Sequence, residues 1–348
     1  MKKLISFIIF VAVIIYGCKK EQYSKPVSVS YESSFSTEPS PISIAIEKNH
    51  GFVYVANYNP AINNYSSKIQ KFNLKGELLK TAVDFTTFSL GKYSRYNPID
   101  FCIDNNSNIY VLVQPSQLSG GTWITLGGFC ILQFDTNDNF QKEYYFNDFS
   151  SFEPLWHPSA IAFSNNYLYV TNRIFFVTDG RVNNIIKKIS FVNNQVTDIS
   201  IQYNSENIDS LPFMPVSDMT INSEGIIFLT GQTFPTVSTD DISGCYIIKF
   251  YPQTNQLLTF NSTGRTGMMY SMLNNPGLTI SDIGNLYLAT FYGMSMEVYD
   301  KNDEFILQVD VRLVGGKDTR PIGIAHFDKH IYIADYHNNN VYVYKEYY

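Results

Sequence analysis

Five histidines (His50, His157, His326, His330 and His337) and two tryptophans (Trp123 and Trp156) are rare enough in this chain of 348 residues to mark a site. His157 directly follows Trp156, and His337 closes the run Asp335-Tyr336-His337. A carboxylate two residues before an imidazole offers an acid/base pair, with Asn57 or Asn172 as a neighbouring polar group. Aromatic side chains among Asn and Asp suit stacking on a sugar ring or packing in a protein interface. The candidate ligand-binding set is therefore Tyr58, Trp123, Trp156, His157, Asn172, Tyr292, Asp335, Tyr336 and His337. The structural alternative is that the aromatics anchor loops and that Asn and Asp cap turns. No Gly-x-Ser-x-Gly, paired metal-binding histidine motif or phosphate-binding loop occurs, so no catalytic residue is assigned.

These residues must be positioned by a repeated unit. "PISIAIEKNHGFVYVAN" at Pro41 is followed by similar segments at Pro98, Pro158, Pro215, Pro276 and Pro321, spaced 57, 60, 57, 61 and 45 residues apart. Each holds a first apolar run, a polar turn such as "DNNSN" or "NSEG", and a second run. That second run carries an aromatic in register: Tyr54, Tyr110, Tyr169, Phe228, Tyr287 and Tyr332. An unbroken apolar run predicts a strand buried on both faces. A third run follows, and in five copies a fourth. Four short antiparallel strands per unit predict an all-β chain, a six-bladed β-propeller.

The sixth copy stops after three strands. Upstream of the first lies "PVSVSYESS", residues 26–34, in which Val27, Val29 and Tyr31 alternate with serine. This segment is expected to be the outer strand of the last blade, closing the ring and removing an exposed edge. A polar tether is the competing reading.

The N-terminus "MKKLISFIIFVAVIIYGCKK" has Lys2 and Lys3, an apolar run from Leu4 to Tyr16, then Gly17-Cys18. The run is short for a bilayer span and suits a signal-peptide core. It resembles a bacterial lipobox, which implies cleavage before Cys18 and lipidation of that residue, with palmitate among its acyl chains. "KKEQ" after it resembles the export tags of surface lipoproteins in the Bacteroidetes group. The resulting division is a signal peptide over 1–17, a lipidated Cys and tether over 18–25, and one propeller domain over 26–348. The implied address is the cell envelope, anchored to the outer membrane. Cleavage would leave 23 basic and 31 acidic residues, a formal charge of −8, which argues against a nucleic-acid partner. Cys102 and Cys130 fall on the first and third strands of one blade, too far apart for a disulfide. With Cys245 they are expected to be buried, unpaired thiols.

Loop lengths separate two faces. The 1–2 and 3–4 turns of every unit are short. The 2–3 connections (57–67, 114–129, 172–184, 231–244) and the 4–1 connections (86–97, 147–157, 204–214, 261–275) are long, and they share the other face. Long loops on a rigid scaffold are where function concentrates, and the candidate set lies there.

The repeat resembles that of NHL propellers, Pro-x-Gly-Ile-Ala, a turn, Gly-Asn-Ile-Tyr-Val-Ala-Asp, then Asn-Asn-Arg-Val and an aromatic. "RPIGIAHFDKHIYIADYHNNNVYVY" follows it with Asn340 in place of the Arg. The resemblance implies the fold and little about function, because propellers host binding modules, scaffolds and enzymes alike. The expected function is an anchored binding propeller that takes a glycan or partner protein on its long-loop face, with no cofactor. One alternative is a structural scaffold. The other is a metal-dependent hydrolase or lyase similar to gluconolactonase-like propellers, with calcium or zinc held by channel residues such as Asp100 and Asp218. The Glu-Gly-Pro opening of that family is absent.

Overall fold

The computed structural model describes residues 26, 28–59, 66–91, 95–119, 122–125, 129–146, 158–172, 176–178, 181–190, 195–203, 216–232, 245–261, 276–290 and 293–348. Six antiparallel sheets follow one another along the chain. Their inner strands are Pro41–Glu47, Arg95–Ile103, Pro158–Ser164, Val216–Ile221, Gly277–Ile280 and Pro321–Phe327. Each inner strand touches the next, and that of blade 6 touches that of blade 1, so the ring is closed around a central channel. The structure is a six-bladed β-propeller with four-stranded blades. Blades 2 and 3 carry a fifth strand each, because the long 2–3 connections fold back as β-hairpins. Thr122–Thr125 pairs with the extended second strand Ile109–Ser119, and Phe176–Thr178 pairs with the third strand Arg181–Ser190.

The hydrophobic clusters lie between blades. Tyr54 of blade 1 packs with Ile109 and Val111 of blade 2. Tyr110 meets Ile161 and Leu168 of blade 3, and Tyr169 meets Val216 and Leu229 of blade 4. Phe228 meets Leu286 and Leu288 of blade 5, Tyr287 meets Ile331 and Ile333 of blade 6, and Tyr332 returns to Val53 and Val55 of blade 1. This is why the second strand is apolar on both faces. Fully burying one large apolar side chain is worth about 1.5–3 kcal/mol. Three tyrosine hydroxyls also pin the neighbouring blade: Tyr54 donates to Asp138, Tyr332 to the Leu74 carbonyl and Tyr287 to Glu346.

The short turns reuse one device. Asn73, Asp104, Asp135, Asn222 and Asp300 each accept, through Oδ1, the backbone N–H groups two and four residues on. The residue three on has positive φ: Gly76, Ser107, Asp138, Gly225 and Asp303. An acceptor at the first position and a residue tolerant of left-handed backbone at the fourth suffice to reverse the chain in five residues. Two of these are 1–2 turns and three are 3–4 turns, so all lie on one face.

The N-terminal strand Ser28–Ser36 completes blade 6. It runs antiparallel to Asn340–Tyr347, with Ser28 opposite Tyr347 and Ser36 opposite Asn340. Phe35 is its anchor, 8% exposed, with its ring 4.8 Å from that of Phe72 in blade 1. A Cβ on Gly76 would lie 2.3 Å from the Phe35 ring, so that position admits only glycine at this spacing. Val27 lies outside the described residues. Strand direction fixes where the chain enters. The Ser36 end meets the 2–3 connection, where the Thr37 N–H donates to the Asn339 carbonyl at 2.8 Å. The Ser28 end lies beside the 1–2 turn of blade 6, where the Glu346 N–H donates to the Lys329 carbonyl at 2.9 Å.

Cys102 and Cys130 form no disulfide on the first and third strands of blade 2, as expected, although Cys102 is half-buried. Burial raises the Cys102 thiol well above its ordinary value, and the charges of Asp100 and Asp104 add to this. The Cys245 side chain and Cys18 lie outside the described residues.

Candidate functional site

The long-loop face is only partly described. Trp156, His157 and Tyr292 lie outside the described residues, as do the side chains of Trp123 and Asn172. The backbone places Trp123 opposite Leu118 in the hairpin of blade 2 and Asn172 opposite Pro158 in blade 3. The other four candidates, Tyr58, Asp335, Tyr336 and His337, occupy repeat-equivalent ends of second strands. The Tyr58 N–H donates to the Ser40 carbonyl at 2.9 Å, and the Tyr336 N–H to the Arg320 carbonyl at 3.0 Å. Both rings are half-buried.

Asp335 is fully buried and heavily engaged. Its Oδ1 accepts the N–H groups of Arg320 at 2.8 Å and His337 at 3.1 Å. Its Oδ2 accepts the Asn338 amide at 2.6 Å and the Tyr342 hydroxyl at 3.0 Å. It thereby fastens the incoming 4–1 connection to the outgoing 2–3 connection. Asn57 stands at the equivalent position of blade 1, also fully buried, and donates to the Glu38 carbonyl. Asp335 meets His337 at its backbone N–H, and the His337 side chain is exposed.

In the channel, the inner strands bulge in five blades, between Pro41 and Ser43, Pro98 and Asp100, Pro158 and Ala160, Val216 and Asp218, and Pro321 and Gly323. The residues after the bulge, with Gly277 of blade 5, form a ring of Ser43, Asp100, Ala160, Asp218, Gly277 and Gly323. Of these, Ser43, Asp100, Asp218 and Gly323 line a cavity of about 270 Å³. Asp100 accepts the Ser43 hydroxyl at 2.6 Å from blade 1 and the Ile161 N–H at 2.9 Å from blade 3. Asp218 repeats this two blades on, accepting the Leu278 N–H of blade 5 at 2.6 Å and its own neighbour's, Met219, at 2.7 Å. Each carboxylate satisfies a free N–H on the edge of the next inner strand, as buried backbone donors require. Where the ring has glycine instead, the strands approach closely: a Cβ on Gly277 would meet the Ile322 carbonyl at 2.5 Å.

Burial raises the Asp100 carboxyl above the usual range, against its hydrogen bonds. Burial raises Asp218 well above it, helped by the charge of Asp100. Both therefore hold protons more tightly than ordinary carboxylates. All four of their oxygens already accept hydrogen bonds from the fold, and among the described residues no three His, Cys, Asp or Glu side chains come together in a metal-binding arrangement. Among the described residues, Asp100 and Asp218 do not fit the calcium or zinc that the hydrolase alternative implies.

At the other end of the channel lies a cluster that sequence reading did not single out. Glu346, 2% exposed, accepts from His326 Nε2 at 2.8 Å, from the Tyr348 hydroxyl at 2.9 Å and from the Tyr287 hydroxyl. The Tyr287 and His326 rings stack at 5.0 Å. Burial would raise the Glu346 carboxyl, but its hydrogen bonds from His326 and Tyr287 outweigh this and hold it below its ordinary value. His326 and Tyr287 are 20 and 59 residues from Glu346 in sequence, and the repeat marks Tyr287 only as a second-strand aromatic, not as a partner of Glu346.

No protein-family model matches the chain, and a search of curated proteins finds no relative. Solved structures do share the fold. Virginiamycin B lyase from Staphylococcus aureus is similar with a TM-score of 0.54 at 12% identity, over 91% of this chain and 99% of that one. A protein of unknown function from Dyadobacter fermentans is similar with a TM-score of 0.54 at 10% identity, over 91% and 99%. Raptor from Chaetomium thermophilum gives a TM-score of 0.51 at 11% identity, over 93% of this chain and 29% of that one. At these identities the likeness is one of fold alone. The fold is that of a six-bladed propeller.

Proposed function

We propose that this chain is an envelope lipoprotein, attached through Cys18 to the outer membrane, whose propeller binds a glycan or a partner protein with its long-loop face. The observation that carries this reading is the direction of the closing strand. Ser28 lies beside the short turns, opposite Tyr347. From Cys18 to Ser28 the chain reaches at most about 34 Å. A lipid at Cys18 therefore tethers the short-turn face, and the long-loop face points away from the bilayer. Hairpins from blades 2 and 3 stand on that outer face, where a ligand would meet them.

The channel supports binding over metal-dependent hydrolysis or elimination. Asp100 and Asp218 are already committed to joining blades, so removing the hydrogen bonds that a metal would displace would loosen the ring itself.

Two experiments test the proposal. Lipidation is read by mass spectrometry of the mature N-terminus and by the Cys18→Ser variant, which is expected to leave the membrane fraction. Binding is read on a glycan array and by cross-linked capture from envelope extracts, with Tyr58→Ala and Tyr336→Ala as long-loop variants. Capture that both variants weaken supports the reading. Capture that neither variant changes would place the binding surface elsewhere.

A further inference from the structure

A second cavity, of about 490 Å³, opens at the short-turn end beside the His326–Glu346 pair. This volume is in the range of small-molecule sites. Three features make it more than a gap between blades. First, the Glu346 carboxylate engages His326 Nε2 at 2.8 Å, which leaves Nδ1 as the ring's second polar atom. His326 is 9% exposed, lines both this cavity and the channel, and has no partner for Nδ1 among the described residues.

Second, the charges on the wall balance. Lys329 and Lys345 have no carboxylate partner among the described residues and face Asp328 and Glu346 across the same space, while Asp282 is paired with Lys48 at 2.6 Å. Such a wall gives neither an anion nor a cation a net field, but it offers donors and acceptors side by side. Third, aromatic surface is present. Tyr347 is 47% exposed, Tyr348 lies beneath Lys329, and Ile283 is 45% exposed.

We propose that this cavity is a binding site for a neutral saccharide of one or two rings. Hydroxyl groups on such a ligand hydrogen-bond with His326 Nδ1, donate to Asp328 and accept from Lys329 and Lys345, while a ring face packs on Tyr347. The site is separate from the long-loop face and does not depend on lipidation.

The test is titration calorimetry of the full-length protein in detergent with glucose, cellobiose and N,N′-diacetylchitobiose, and with glycerol phosphate as an anionic control. One neutral saccharide is expected to bind saturably and the control not to bind. Tyr347→Ala and Lys345→Ala are expected to weaken that binding roughly tenfold each, a loss of about 1.4 kcal/mol. Lys329→Ala serves as a third variant should either of these unfold. Tyr58→Ala and Tyr336→Ala should leave it unchanged, which separates this site from the long-loop reading. Saturation by none of the three saccharides, tighter binding of glycerol phosphate, or binding untouched by the wall variants would overturn the proposal.

Discussion

The two faces of the ring are built by opposite rules. The short-turn face repeats one five-residue turn, in which an Asp or Asn acceptor closes two backbone N–H groups. The long-loop face repeats only its strand ends, where Tyr58 and Tyr336 make the same backbone bond, and then diverges into hairpins and loops of unlike length. The repeat thus fixes the turns on one side and lets the loops vary on the other. Substitutions in the repeated turns should act on stability, and those in the variable loops or the Lys345–Tyr347 cavity should act on binding.

The largest effect is expected at Gly76. Its φ of +83° and its contact with Phe35 both exclude a side chain. Gly76→Ala combines left-handed strain with overpacking and should destabilise by about 2–4 kcal/mol, read as a lower denaturant midpoint. Asp104→Ala comes next. It removes the acceptor of the Asn106 and Asn108 N–H groups and of the Tyr110 hydroxyl, and about 1–3 kcal/mol should be lost. Asp104→Asn should lose much less, because Asn73 and Asn222 do the same work in blades 1 and 4. By contrast His337→Ala, on the exposed long-loop side, should change stability by less than about 0.5 kcal/mol.

Much of this contrast was readable from the chain. The aromatic of the second strand recurs because each one must fill the gap to the next blade, and burial of that kind leaves a periodic trace. The closing strand was legible because Val29 and Tyr31 alternate with serine and the sixth unit lacked a partner. Polar roles were harder to read. Asp100 and Asp218 invite a metal reading in sequence, and only the fold reveals the N–H groups of Ile161 and Leu278 behind them. Asp335 and His337 stand two apart, yet the buried carboxylate serves the backbone. Glu346, His326 and Tyr287 meet through blade packing, which local spacing does not encode.

A smaller effect separates the two sets of buried acids by pH. Glu346 is held below its ordinary value, so its contribution to stability is present above the unfolded-state pKa, near 4.5, and is lost as pH falls through the folded one. Asp100 and Asp218 are raised. Their contribution is fully present below the unfolded-state value of 3.8 and declines as pH rises through the folded values. Thermal melting between pH 3 and 8 should therefore show Glu346→Gln flattening the acid limb. Asp218→Asn should flatten the decline toward neutral pH. Equal slopes in both variants and the parent would remove the distinction between the Asp100–Asp218 ring and the short-turn end.

The most direct test concerns orientation. Spin labels on introduced cysteines at Asn302, in a short turn of blade 5, and at His337, beside the long loops, are compared in the lipidated protein on vesicles, in a background with Cys102, Cys130 and Cys245 replaced. The label at 302 is expected to approach the bilayer and the label at 337 to remain in bulk water. A label at 337 that lies closer to the lipid than the one at 302 would contradict the account.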